Sequence, residues 1–196
     1  MLTDRRKDRF LEVIAKRQKD FTIVIENIWD PHNVSAILRS ADAVGIETVH
    51  LLYTIEEAPN FKRVGKKSSS SASKWLEFVY HDDEEGCISS LKKEGFSVFA
   101  SHLTKHSMSL HELKGTGKIA LIFGNESRGV SETALELADG AFYIPMVGMI
   151  ESLNASVAAA VSMYEIMRQR LAAGTLEHSQ HSDEEASNKL EAWARK

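Results

Sequence analysis

One cysteine, Cys87, is all that the 196 residues contain. An internal disulfide framework and a zinc site built on several thiolates are both excluded, and a reducing compartment is expected. No leader is expected either: MLTDRRKDRF is charged from its fourth residue, with no apolar stretch behind it. No later run is long enough to span a bilayer, so the expectation is a soluble, cytoplasmic protein with no membrane partner. The common nucleotide devices are also absent. There is no G-x-G-x-x-G, no G-x-x-x-x-G-K-[ST] and no G-x-S-x-G elbow. Gly115-Thr116-Gly117-Lys118 precedes an apolar run instead of following one, and reads as a turn. His102, His106 and His111 are spaced within a helix's reach, but Glu112 is the one acid near them. A structural zinc closes four ligands, so these are read as surface histidines and no metal is expected.

Positive charge is likewise short of what a nucleic-acid binder carries overall: 24 Lys and Arg face 28 Asp and Glu, a net of −4. Patches, not totals, decide phosphate contact. Residues 1–19 hold Arg5, Arg6, Lys7, Arg9, Lys16, Arg17 and Lys19 against Asp4, Asp8 and Glu12. Residues 62–74 hold Lys62, Arg63, Lys66, Lys67 and Lys74 with no acid, while acids gather at 82–85 and 183–185. Either basic run alone is what a solvated face looks like. The two together, with the acids segregated, leave a solvated face and a nucleic-acid footprint about equally open.

What is present is a hydrophobic fraction of 43%, enough for a real core. Residues 2–18 pattern as an amphipathic helix with Phe10, Leu11, Val13 and Ile14 on its apolar side. Phe21–Glu26 is a continuous β-branched run, as in a strand buried on both faces. Trp29-Asp30-Pro31 breaks the chain, Asn33 stands where an N-cap is wanted, and Val34, Ile37, Leu38, Ala41 and Val44 then repeat at helical spacing up to Gly45. Strands follow at 48–53, 75–80, 97–101, 119–123 and 141–145, with helices at 84–94, 131–138 and 154–171. That alternation, without hairpin signals, predicts an α/β fold: a mostly parallel sheet with helices on both faces. The chain divides into a basic N-terminal helix (1–20), a central domain (21–171) and a polar tail (172–196). The tail is expected to be peripheral or frayed, with a short helix at 184–195. The run KKSSSSAS at 66–73 reads as a flexible loop.

In parallel α/β sheets ligands sit beyond the carboxyl ends of strands, and three such ends carry unusual residues. After the first strand comes PHNVSAILRSADAVG, in which a capped amphipathic helix explains all but Arg39. After the run at 119–123 comes FGNESRG, two glycines around Glu126, fit either for close backbone approach to a ligand or for an ordinary turn. The third, YIPMVGMIESLNASVAAA, is an apolar loop running into a helix of Ala and Ser, with Ser152 and Asn154 able to cap that helix or grip a ligand.

In this order and spacing, HNVSAILRSADAVG, FGNESRG and IPMVGMIESLNASVAAA resemble motifs 1, 2 and 3 of the SpoU class of RNA 2′-O-methyltransferases, and more narrowly the TrmH tRNA (guanosine-2′-O)-methyltransferases. The similarity runs roughly from Phe10 to Arg170. It implies an α/β domain of the SPOUT type, with a C-terminal trefoil knot that forms an S-adenosylmethionine pocket and pairs two subunits as a homodimer. By position, Ser101, Leu103, Gly124, Ile144 and Leu153 would line that pocket. Arg39, with Asn33, Glu126, Ser152 and Asn154, would be catalytic, acting on a ribose 2′-hydroxyl of tRNA, most simply the D-loop guanosine. A guanidinium with a pKa above 12 is a poor general base, so a phosphate-clamping Arg39 is favoured over a proton-accepting one. Arg9 and Arg17 on the first helix, His32 at the mouth of the site, and Arg168 and Arg170 on the last long helix would grip tRNA. The serine-rich loop and acidic tail depart from the family's pattern. The extra N-terminal RNA-binding domain of ribosomal-RNA members is not expected here, which favours tRNA. The rivals are the same chemistry on a tRNA wobble ribose or ribosomal RNA, and a catalytically silent RNA-binding protein.

Overall fold

A computed structural model describes residues 2–59 and 72–196. The continuous apolar runs form its centre. β1 (Phe21–Glu26) and β6 (Ile119–Phe123) are buried along their whole lengths and pair parallel, Ile23 opposite Leu121. Around them lie β2 (Thr48–Leu52), β3 (Glu77–His81), β4 (Ser97–Ser101), β5 (Met108–Ser109) and β7 (Gly140–Tyr143). The order is β3-β2-β1-β6-β4-β7-β5, and every pairing is parallel. The two-residue β5 has no counterpart in the sequence reading; it is too short to leave a periodic signal.

Among the described residues six helices accompany the strands: α1 (Asp4–Ala15), α2 (Pro31–Ala43), α3 (Glu84–Lys93), α4 (Glu132–Leu137), α5 (Ala155–Ala172) and α6 (Asp183–Ala194). Alternating side chains of β1 divide the core. Phe21, Ile23 and Ile25 pack with Val34, Ile37 and Leu38 of α2 and Ala159, Met163 and Ile166 of α5. Val24 faces the other way, towards Cys87, Ile88 and Leu91 of α3 and Ala134 of α4. A sheet covered on both faces is the solution a parallel sheet requires.

Two expectations need correction, and a third falls largely outside the described residues. α2 begins at Pro31, capped by Asp30, whose carboxylate accepts from the His32 amide at 2.9 Å. Proline suits the first helical turn because its missing N–H would have no partner there. Asn33 is therefore not a cap, and its side chain is free for other work. The tail is not frayed: α6 packs on α1, where Trp193 and Phe10 are buried with Trp75 at ring separations of 5.0–5.6 Å. The predicted loop at 66–73 falls outside the described residues over 66–71, and Ala72–Lys74 forms a 3-10 turn. No described helix is long and apolar enough to cross a membrane.

Candidate active site

The carboxyl ends of three neighbouring strands, β6, β4 and β7, open into a cavity of about 420 Å³. β4 contributes Ser101, His102 and Leu103; β6 contributes Phe123, Gly124 and Glu126; β7 contributes Phe142, Tyr143 and Ile144. The fourth wall comes from Met146, Ser152, Leu153, Asn154 and the first turn of α5. All five residues assigned to a cofactor thus share one cavity, as do Glu126, Ser152 and Asn154.

One hydrogen-bond chain ties the three sequence segments together. Asn33 Nδ2 donates to Glu126 Oε1 at 2.7 Å, and Asn154 Nδ2 donates to Asn33 Oδ1 at 3.0 Å. Asn154 Oδ1 in turn accepts from the Ser156 amide and hydroxyl at 2.9 and 2.6 Å, capping α5. The carboxylate accepts only, so it fixes which way the Asn33 amide faces, and that fixes Asn154. A residue buried in the first turn of α2 thereby sets the position of two loops more than ninety residues away.

Of the two readings open for the glycines of FGNESRG, the turn is the one that explains Gly124. A Cβ there would lie 2.2 Å from the Gly129 backbone, because the chain folds back across it. The turn is closed by the Gly129 amide donating to the Asn125 carbonyl at 2.8 Å, with Gly129 at φ +73. The close approach is to the protein's own backbone. Two asparagines invisible to the sequence reading brace the rim. Asn27, at φ 51, accepts from the amides of Thr54, Ile55 and Glu56, and Asn125 Nδ2 donates to the Asn27 carbonyl at 2.8 Å. Tyr53 donates to the Ile28 carbonyl at 2.7 Å; burial, then the Glu126 charge, raises its hydroxyl well above the ordinary range.

Arg39 stands apart. It is exposed on α2, in a stripe with His32 and Ala36 at helical spacing, and forms no hydrogen bond or ion pair with the described residues. It does not line the cavity of its own chain. The apolar loop is also only partly in the wall: Val147, Met149 and Ile150 are exposed, the first two fully, and on α5 Val157, Val161 and Tyr164 are exposed as well.

Two of the arginines assigned to RNA cannot serve it. Arg170 is 0% exposed, donating to the carbonyls of Gly115 at 2.8 Å and Gly117 at 2.6 Å, to Gln18 at 2.8 Å, and to the Asp20 carboxylate. Arg17 is 1% exposed, donating to the Ile46 carbonyl at 2.7 Å and to the Asp42 carboxylate. Their charges are consumed in joining segments that precede β1, β2 and β6. Arg9 and Arg168 are exposed, paired on their own helices with Glu12 and Glu165 at 2.8 Å. Trp29, 58% exposed just before Asp30, is a surface aromatic that the sequence reading passed over as a chain break.

Residues 20–164 match the model of the SpoU rRNA Methylase family. The chain belongs to that family. The SpoU frame covers all of the cavity's walls, from β1 to the middle of α5. A Thermus thermophilus tRNA (guanosine(18)-2′-O)-methyltransferase is 42% identical over 194 residues, 99% of this chain and 98% of that one. The enzyme of the same description from Escherichia coli is 37% identical over 166 residues, 85% of this chain and 71% of that one. Among solved structures, an A. aeolicus TrmH/SpoU tRNA modifying enzyme superposes with a TM-score of 0.88 at 34% identity, covering 98% of this chain and 96% of that one.

Proposed function

We propose that this SpoU-family protein transfers a methyl group from S-adenosylmethionine to a ribose 2′-hydroxyl of tRNA, at guanosine-18 of the D loop. The observation that carries the proposal is the chain Glu126–Asn33–Asn154, which joins all three motif segments at the cavity. Near-complete coverage in both directions by the guanosine-18 enzyme of Thermus thermophilus favours tRNA over ribosomal RNA.

The lining suits that cofactor. Phe123, Phe142, Ile144 and Leu153 offer apolar walls for a flat base, and the backbone at 101–103, 124 and 144 offers polar groups. Glu126 is the one carboxylate in the lining, which has no Lys or Arg, so it favours a cationic ligand over a phosphate. The bound cofactor would supply an electrophilic methyl on a sulfonium. Asn33, Glu126, Ser152 and Asn154 orient the ribose beside it, where in-line geometry is the main demand. Arg39, exposed and unpaired, clamps a phosphate next to the target ribose, and that phosphate or a water takes the 2′-hydroxyl proton. Arg9, His32 and Arg168 hold tRNA further out, and Trp29 stacks on a base near the mouth.

The exposed apolar surface of Val147, Met149, Ile150, Val157, Val161 and Tyr164 is read as the homodimer contact. Residues 21–171 form the methyltransferase domain, cytoplasmic and threaded as a trefoil knot in its C-terminal third, with 1–20 and 172–196 flanking it. The test is incubation of the purified chain with unmodified tRNA and isotopically labelled S-adenosylmethionine, then nuclease digestion and mass mapping. One labelled 2′-O-methylguanosine in the D loop is expected. A label on a base, on the wobble ribose or only on ribosomal RNA overturns the substrate, and no calorimetric cofactor binding overturns the enzyme.

A further inference from the structure

Away from the cavity, on the α3 side of the sheet, three metal-ligating side chains converge. His50 of β2 and His81 of β3 lie on adjacent parallel strands, thirty-one residues apart in sequence, with Nδ1 of one 2.9 Å from Nε2 of the other. Cys87 of α3 projects onto the same spot, and all three donor atoms lie within 4.8 Å of one another. We propose that His50, His81 and Cys87 form a zinc site that ties the edge strand β3 to β2 and α3. The expectation of no metal rested on His102, His106 and His111. Those three form no such group among the described residues.

The dimensions are close to what zinc needs. With metal–nitrogen bonds of about 2.0–2.1 Å and a metal–sulfur bond of about 2.3 Å, tetrahedral ligand atoms stand roughly 3.3–3.6 Å apart. The two nitrogens would open by about 0.4 Å and the sulfur would draw in by up to about 1.2 Å, within reach of side-chain torsions. The chemistry also fits. A neutral imidazole offers a ring-nitrogen lone pair to a metal, and His50 and His81 present two such nitrogens side by side. Glu26, Asp83 and Glu84 are the charged groups bearing on Cys87, all negative, a surrounding that favours a cation. The Cys87 thiol ligates by exchanging its proton for the metal. Binding therefore releases one proton from Cys87 to solvent. The proton shared between the imidazoles moves to an outer ring nitrogen, leaving Nδ1 of His50 and Nε2 of His81 both free to ligate. Half-buried His81 gives the entry path, and a water completes the fourth position.

Because the chain has a single cysteine, a thiolate signature can have one origin only. The full-length protein, stripped with chelator and kept reduced by a phosphine, is titrated with Co²⁺ and then Zn²⁺. Expected are a saturable one-to-one near-ultraviolet thiolate-to-cobalt band, its loss on adding zinc, and a Tm raised by at least about 5 °C at zinc 100-fold above Kd. Cys87→Ala and His81→Gln should each abolish the band and the Tm rise while S-adenosylmethionine binding is unchanged. A wild-type titration with no thiolate band overturns the site even if both variants fail to fold. Cobalt binding that survives both substitutions places the metal elsewhere and overturns it equally.

Discussion

The two ends of the sheet use arginine in opposite ways. At the amino end, Arg17 and Arg170 are buried and joined by charge-assisted bonds to Asp42 and Asp20 and to backbone carbonyls. On α2, which rises from the carboxyl end of β1, Arg39 is exposed and carries no partner among the described residues. A guanidinium buried and bonded within the fold is out of a phosphate's reach, whereas an unpaired one in solvent keeps its whole fork. The same residue type is a fastening at one end and an instrument at the other.

The sharpest way to test that contrast is Arg170→Ala. It leaves buried carbonyls and Asp20 without their donor, and should lower stability by about 3–5 kcal/mol, seen as a reduced denaturant midpoint. If Arg170→Ala unfolds normally but loses tRNA affinity, the division between the two ends fails. Arg39→Ala should do the reverse, cutting kcat on the order of 10²-fold with Tm and cofactor affinity unchanged. Arg39→Lys should recover little, since an ammonium cannot reproduce a bidentate grip; near-native turnover in that variant would sink the clamp.

Smaller effects probe the ground between. Asn33→Ala leaves Glu126 and Asn154 unlinked, and a loss of about 1–3 kcal/mol should appear as roughly a 10- to 100-fold fall in kcat/KM. A fall in stability alone would make the bridge a fold element. Trp29→Ala should weaken tRNA binding by about 1–2 kcal/mol if it stacks on a base. Arg9→Ala and Arg168→Ala should each reduce tRNA affinity a few-fold and flatten its salt dependence by about one unit of slope. Arg17→Ala should leave that slope untouched, and a changed slope would return Arg17 to the RNA face.

Much of this was legible from residue order. The runs at Phe21–Glu26 and Ile119–Phe123 announce strands buried on both sides, because only a covered parallel sheet tolerates such continuous apolar character. The three segments around Arg39, Glu126 and Asn154 are recognisable as a set, and the structure gathers two of them around one cavity and bonds the third to it through Asn33. What residue order misjudged are cases where a side chain has two plausible partners. Asn33 could cap a helix or bridge loops, and Asp30 took the cap. Gly124 could admit a ligand or a returning chain, and Gly129 lies against it. Arg17, from a basic run, and Arg170, on the last long helix, could each have met a phosphate, but acceptors from distant segments surround them.

The sequence by itself thus determined the parallel α/β core, the helix and strand periods, and the family, since these depend on local pattern and motif spacing. Only the tertiary structure decided which polar groups are spent. That outcome depends on contacts between residues far apart in the chain, such as Asn33 with Glu126, Arg170 with Gly115, and His50 with His81 and Cys87. A buried polar group must find a partner wherever the fold brings one, and no one-dimensional pattern encodes that distance.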